Sequence, residues 1–304
     1  MCQRLVRNLS LLLPLAGLLL ALAPSPSFGQ VSKTCPGGTT LKVSAAASAQ
    51  GSLILTEILG PKSRPTFSSD WDGHAIPLWQ ETEKSFTWHG LIGVDLEKPP
   101  GRYEWKVSWP GSEGNVLTCS VLITVRPGKF PTERLKVEKQ FVQPDPEQQK
   151  RAEEDQKKMR AIYDTVTPQR LWDGKFLLPL KDVTTGGNFG RRRILNGDAR
   201  SPHAGVDFPA AAGTPVFAAQ SGKVVLAENL YYSGNTVVLD HGYGIYTLYA
   251  HLSAIGVQSG DGVKAGAEIG KVGATGRVTG PHLHWGLTID HARVNAMQIA
   301  QRQP

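Results

Sequence analysis

Cysteine and methionine are scarce in this chain, with three of each among 304 residues, and aromatic residues make up only 8%. So few cysteines exclude a small scaffold held mainly by disulfides and a cysteine-built metal knuckle. Dense Lys/Arg tracts interleaved with aromatics are missing, so no nucleic-acid partner is expected. No helix-type H-E-x-x-H metal motif occurs, and no repeat recurs at solenoid periods. After residue 22 no stretch is apolar for long enough to span a membrane.

What is present starts with a polar N-terminal region carrying Arg4 and Arg7, then the apolar run from Leu9 to Leu22, which Pro14 interrupts. Small and turn-forming residues follow in Ala23-Pro-Ser-Pro-Ser-Phe-Gly29. This order predicts a cleaved signal peptide over 1–29. It implies an exported product of the periplasm or cell envelope, with no stable membrane insertion after cleavage. Cys2 precedes the apolar run, so it is misplaced for a lipidation site. Cys35 and Cys119 remain, and an even pair in an exported chain suggests one disulfide, two buried free thiols being the alternative. The formal charge of +7 falls to about +5 without Arg4 and Arg7, a mild excess that suits an anionic polymer or plain solubility.

Glycine is abundant, at 33 residues, which favours turn-rich β structure. Over 30–130, strand-like runs at 41–47, 52–59, 86–95, 102–109 and 116–125 are separated by Gly, Pro and Ser clusters, among them the turn signal Lys98-Pro-Pro-Gly101. Short strands at this spacing predict a β-sandwich of immunoglobulin-like type. Residues 131–170 read as a linker with a helix: Asp145 is an N-cap, Pro146 takes the first helical position and Glu147 lies in the first turn. Met159, Ile162 and Tyr163 give that helix a thin apolar stripe, and its dense charge favours a solvated linker over a docking helix. Residues 171–304 form a second β domain, with strands predicted over 236–240, 245–251 and 282–289. The fold class expected is mainly β, in two domains.

Eight histidines occur, and four with metal-competent neighbours fall in the second domain. His203-Ala-Gly-Val-Asp207 places an imidazole and a carboxylate four residues apart, and Gly205 is expected to let the backbone turn so that they converge. His282 and His284 stand two apart on a strand and therefore share a face. His251 ends the strand Tyr246-Thr-Leu-Tyr-Ala-His. A catalytic zinc ion needs about three such protein ligands with one position left open, and two histidines with one aspartate leave the site a net positive charge that acidifies bound water. Further imidazoles can then move protons. His241 sits in a turn and is left out of the set; His89 is expected in packing or at the surface, His291 is expected to be exposed, and Trp285 should face away from His284 into the core.

The segments Ser201-Pro-His-Ala-Gly-Val-Asp-Phe-Pro, Tyr249-Ala-His-Leu-Ser, Gly260-Asp-Gly-Val-Lys-Ala-Gly and Gly280-Pro-His-Leu-His-Trp closely resemble the M23 peptidases of lysostaphin and LytM type. The resemblance spans about 176–295, and the preceding β domain more loosely resembles the immunoglobulin-like domain that accompanies some of them. It implies an antiparallel-β peptidase domain with a groove above the sheet and one Zn²⁺ held by His203, Asp207 and His284. It implies His251 and His282 as catalytic histidines, and a zinc metalloendopeptidase that cuts peptide cross-links of bacterial peptidoglycan. Degenerate relatives act as inactive wall-binding regulators of other hydrolases; those lack ligands, whereas all five residues are present here. Some members carry a tyrosine before the first ligand, and here that stretch has none; Asn196 and Arg200 are the residues considered near the groove, with Asn196 a candidate cap on the zinc of a latent form. The bond cut, the oligomeric state and the role of the first domain stay open at the level of sequence.

Overall fold

A computed structural model of the protein describes residues 30–112, 114–135, 145–183, 185–199 and 201–302. The expected signal peptide and Arg200 lie outside these residues. Among them, no helix is long and apolar enough to cross a membrane.

The first domain contains β1 (Val31–Thr34), β2 (Thr40–Val43), β3 (Ala47–Ala49), β4 (Leu53–Leu59), β5 (Ser68–Trp71), β6 (His74–Ala75), β7 (Thr87–Gly93), β8 (Gly101–Pro110) and β9 (Val116–Arg126). They form a four-stranded sheet, β1-β2-β4-β7, and a five-stranded sheet, β3-β9-β8-β5-β6. Leu41, Ile54, Ile58 and Ile92 of the first sheet meet Trp71, Trp105, Val107 and Ile123 of the second in one core. The two sheets thus form a sandwich. Cys35 and Cys119 are joined by a disulfide across 84 residues, with Cα atoms 5.9 Å apart.

The run Leu53-Ile-Leu is apolar without alternation because β4 is covered on both sides. Its Ile54 and Ile58 point into the sandwich, while Leu53, with Leu91 of β7 and Trp79, joins the core of the second domain. Trp79 meets Trp172 edge-on at 5.2 Å and stacks on Tyr243 at 5.8 Å. Arg293 donates through Nε and Nη2 to the carboxylate of Asp95 at 3.0 and 2.7 Å. Apolar packing and a bidentate ion pair therefore join the domains directly.

After the sandwich come β10 (Thr132–Leu135) and α1 (Pro146–Tyr163). Asp145 caps α1 by accepting from the Gln148 N–H at 2.8 Å. The expectation of a solvated helix is corrected: Met159, Ile162 and Tyr163 pack on Leu226, Leu230, Val238 and Tyr246 of the second domain. Polar contacts reinforce the docking, with Arg151 donating to Asn229 and Lys158 paired with Glu228. A thin stripe suffices because the remaining faces of the helix stay in water.

The second domain comprises β11 (Arg192–Leu195), β12 (Asp198–Ala199), β13 (Gly205–Pro209), β14 (Pro215–Phe217), β15 (Gly222–Leu230), β16 (Gly234–Asp240), β17 (Ile245–Ile255), β18 (Gly262–Val263), β19 (Glu268–Val272), β20 (His282–Ile289), β21 (Ala292–Val294) and α2 (Met297–Gln301). Its main antiparallel sheet runs β13-β20-β17-β16-β15-β18, with β14, β19 and β21 attached. Leu283, Trp285, Leu287 and Ile289 alternate into the core from β20. The other face carries His282, His284, Gly286 and Thr288. Tyr163 of α1 meets Tyr246, the cross-strand partner of Thr288, edge-on at 5.4 Å, so α1 covers the end of this face away from the histidines. β10 pairs in parallel with β11 and β11 antiparallel with β12; the chain leaving the sandwich is thus built into the second domain.

Candidate metal centre

The ligand candidates come from two neighbouring strands. Asp207 on β13 lies directly opposite His284 on β20. His203 precedes β13 and folds back so that its Nε2 lies 3.1 Å from Asp207 Oδ1. His284 Nδ1 lies 3.0 Å from both Asp207 Oδ1 and His203 Nε2. Gly205 works differently from the expectation. It is the first residue of β13, and its φ is not among the positive ones. What it supplies is space: a Cβ there would sit 2.5 Å from Cε1 and Nε2 of His284.

Hydrogen bonds fix which atom each ring presents. His203 Nδ1 lies 3.1 Å from the Asn188 carbonyl, an acceptor only, so Nδ1 carries the hydrogen and Nε2 faces the cluster. Asp207 keeps Oδ1 for the cluster, while its Oδ2 accepts from the Asn188 side-chain amide at 3.1 Å. Burial, the largest influence on Asp207, acts to raise its pKa; the hydrogen bonds of His203 and His284 outweigh it and hold the carboxyl far below the usual range. Burial drives the His284 pKa down, against the hydrogen bond that Asp207 accepts from it. Two imidazoles and a carboxylate thus converge within 3.0–3.1 Å. That spacing is close to the roughly 3.3 Å edge of a tetrahedron with bonds near 2.05 Å. The donor set fits zinc in chemistry and in size, and these three residues are the cluster of metal-competent groups among the described residues.

His251 and His282 stand beside the cluster with ring centroids 4.8 Å apart. The His251 ring lies 5.8 Å from that of His284, and His282 Nε2 is 3.7 Å from Asp207 Oδ1. His251 Nδ1 meets the Thr275 carbonyl and His282 Nδ1 the Gly280 carbonyl, each at 2.9 Å. A carbonyl only accepts, so both rings carry a hydrogen on Nδ1 and keep Nε2 for other partners. Burial, then the neighbouring His284, pushes the His251 pKa down to about 4. His251 has φ +64°, a left-handed conformation costly for a residue with a Cβ and common at functional sites. Its N–H donates to Ser233.

The remaining sequence candidates lie elsewhere. His241 is fully buried between the Ser221 carbonyl and the Thr247 hydroxyl, and burial lowers its pKa to about 4. Trp285 is buried in the core, on the face opposite His284. His89 pairs through its backbone with Trp79, and the exposed His291 lies 3.5 Å from Asp164. Asn196 lies in the turn joining β11 to β12, with φ +53°. The asparagine bonded to the candidate ligands is Asn188, which sequence reasoning missed. Its bonds reach residues 15 and 19 positions away and have no spacing signature.

Two imidazoles and a carboxylate on a strand edge, flanked by two more imidazoles, are the donor chemistry of a catalytic zinc centre. Residues 201–296 match Peptidase family M23. The chain is 47% identical over 112 residues to the peptidoglycan DD-endopeptidase ShyA of Vibrio cholerae, covering 36% of this chain and 26% of that protein. It is 43% identical over 102 residues to the DD-carboxypeptidase/endopeptidase Mpg of Neisseria meningitidis, covering 34% of this chain and 24% of that one. The chain thus spans about a quarter of these relatives. A solved Pseudomonas aeruginosa protein classed with peptidase M23 superposes with TM-score 0.56 at 28% identity, over 88% of this chain and 95% of that one. The match to peptidase family M23 thus falls on residues 201–296 of the second domain, which hold all five of these residues.

Proposed function

We propose that this protein is an exported zinc metalloendopeptidase that hydrolyses peptide cross-links of bacterial peptidoglycan. The observation that carries the reading is the convergence of His203 Nε2, Asp207 Oδ1 and His284 Nδ1, with the rings of His251 and His282 beside them. The names of ShyA and Mpg favour a DD cross-link as the bond. The disulfide fits an oxidising compartment outside the cytoplasm.

His203, Asp207 and His284 would hold the zinc, which supplies Lewis acidity to a peptide carbonyl and lowers the pKa of water. His251 Nε2 and His282 Nε2 are placed to take the proton of the attacking water and return it to the leaving amine. The low pKa of His251 keeps its ring neutral and ready to accept. The Thr275 and Gly280 carbonyls hold the two rings in that tautomer. An inactive wall-binding regulator would not need all five residues in place.

Digestion of purified sacculi followed by mass spectrometry tests the reading. Cross-linked muropeptides should be converted to monomers, a chelator should stop the conversion, and zinc should restore it. His284→Ala should lower the rate by at least about 100-fold, since it removes a ligand and leaves two. Full activity in that variant would refute the assignment.

A further inference from the structure

Asn188 touches both candidate ligands that lie earliest in the chain. Its side-chain amide donates to Asp207 Oδ2 at 3.1 Å, and its carbonyl accepts from His203 Nδ1 at 3.1 Å. The backbone around it is stitched to the same two residues. Gly187 and Asp207 exchange N–H···O bonds at 3.1 and 2.9 Å. Gly190 donates to the His203 carbonyl at 2.8 Å, and His203 donates to Arg191 at 3.0 Å. Asn188 itself has φ +71°, a left-handed conformation that asparagine tolerates better than most residues.

The loop is also gripped by the chain leaving the sandwich. Phe189 lies edge-on to Phe130 at 6.0 Å and so close to Gly51 that a Cβ there would fall 2.4 Å from the ring. Arg191 pairs with Glu133 at 3.1 Å. These contacts link the first domain to Asn188, and Asn188 to the ligands.

We infer that Asn188 is a positioning residue of the metal centre, held by the exit segment of the N-terminal domain, and that it sets zinc affinity by fixing Asp207 and His203. It fixes Asp207 by occupying Oδ2, which leaves Oδ1 for the metal. It fixes His203 by holding the hydrogen on Nδ1, which leaves Nε2 for the metal. Partners of this kind typically govern metal affinity by about 10- to 100-fold. The inference rests on the zinc reading proposed above.

The test is zinc affinity of the full chain, measured by competition with a chromophoric chelator with zinc alone as the probe. Asn188→Gly removes the amide while accommodating the left-handed backbone and keeping its carbonyl. It should bind zinc about 10- to 100-fold more weakly, with the metal-free unfolding midpoint close to that of the parent. Asn188→Asp keeps the shape but sets an acceptor against Asp207 Oδ2, and should bind more weakly still at neutral pH; it carries the test if the glycine variant does not fold. Affinity equal to the parent in a folded variant would overturn the inference while leaving the zinc reading intact. A parent protein that binds no zinc would overturn both.

Discussion

Gly205 illustrates how much a single position can decide. The H-x-x-x-D spacing is plain in the sequence, and the glycine inside it suggested a backbone turn. The structure assigns it a different task, because its missing side chain is what admits the His284 ring at a distance no Cβ would tolerate. Gly205→Ala is therefore expected to displace His284, a proposed metal ligand, while the fold survives. Zinc bound per chain after dialysis should fall, with activity on sacculi down by about tenfold or more; parental zinc content and activity would contradict this. The convergence of these five side chains was legible because ligand type, strand alternation and family resemblance point to the same positions. Asn188 was not, since a hydrogen bond across 19 residues follows from where the chain returns in space.

At the scale of elements, β4, β7, β8, β9, β16, β17 and β20 could be read from alternation and turn residues while most shorter strands could not, and Asp145-Pro-Glu marked the start of α1 correctly. The docking of α1 could not be read. Three apolar residues on a charged helix look solvated until the surface they meet is known, and that surface is built by β15, β16 and β17, dozens of residues further on. Tyr163 lies at its centre, edge-on to Tyr246 at 5.4 Å. Tyr163→Ala should cost about 2 kcal/mol, seen as a lower unfolding midpoint. A midpoint unchanged from the parent would mean that the helix is not held as described. Similarly, the unalternating apolar stretch of β4 was a sign of a strand covered on both faces, although nothing in it names the partner.

At the scale of the whole molecule, the sandwich is joined to the peptidase domain by Leu53, Trp79 and Leu91 and by the Arg293–Asp95 pair. Burial acts to raise the Asp95 pKa, but the hydrogen bonds from Arg293 outweigh it and leave the carboxyl below its ordinary value of 3.8. A carboxyl depressed on folding adds stability above its unfolded pKa, and that stability is lost as pH falls through the folded value. Arg293→Met should thus lower stability at pH 7 by about 1–3 kcal/mol. It should also flatten the decline of the unfolding midpoint below about pH 4. An unaltered acid dependence would argue against the pair. The disulfide closes a stretch of 84 residues, and reducing it should destabilise the sandwich by up to about 4 kcal/mol in the chain-entropy view.

Anomalous diffraction at the zinc edge from crystals of the zinc-loaded protein would locate the metal among these five residues. One peak is expected, about 2.0–2.2 Å from His203 Nε2, Asp207 Oδ1 and His284 Nδ1, with Nε2 of His251 and His282 outside bonding distance. A peak elsewhere, or one closed off by His251 or His282 as a fourth protein ligand, would contradict it.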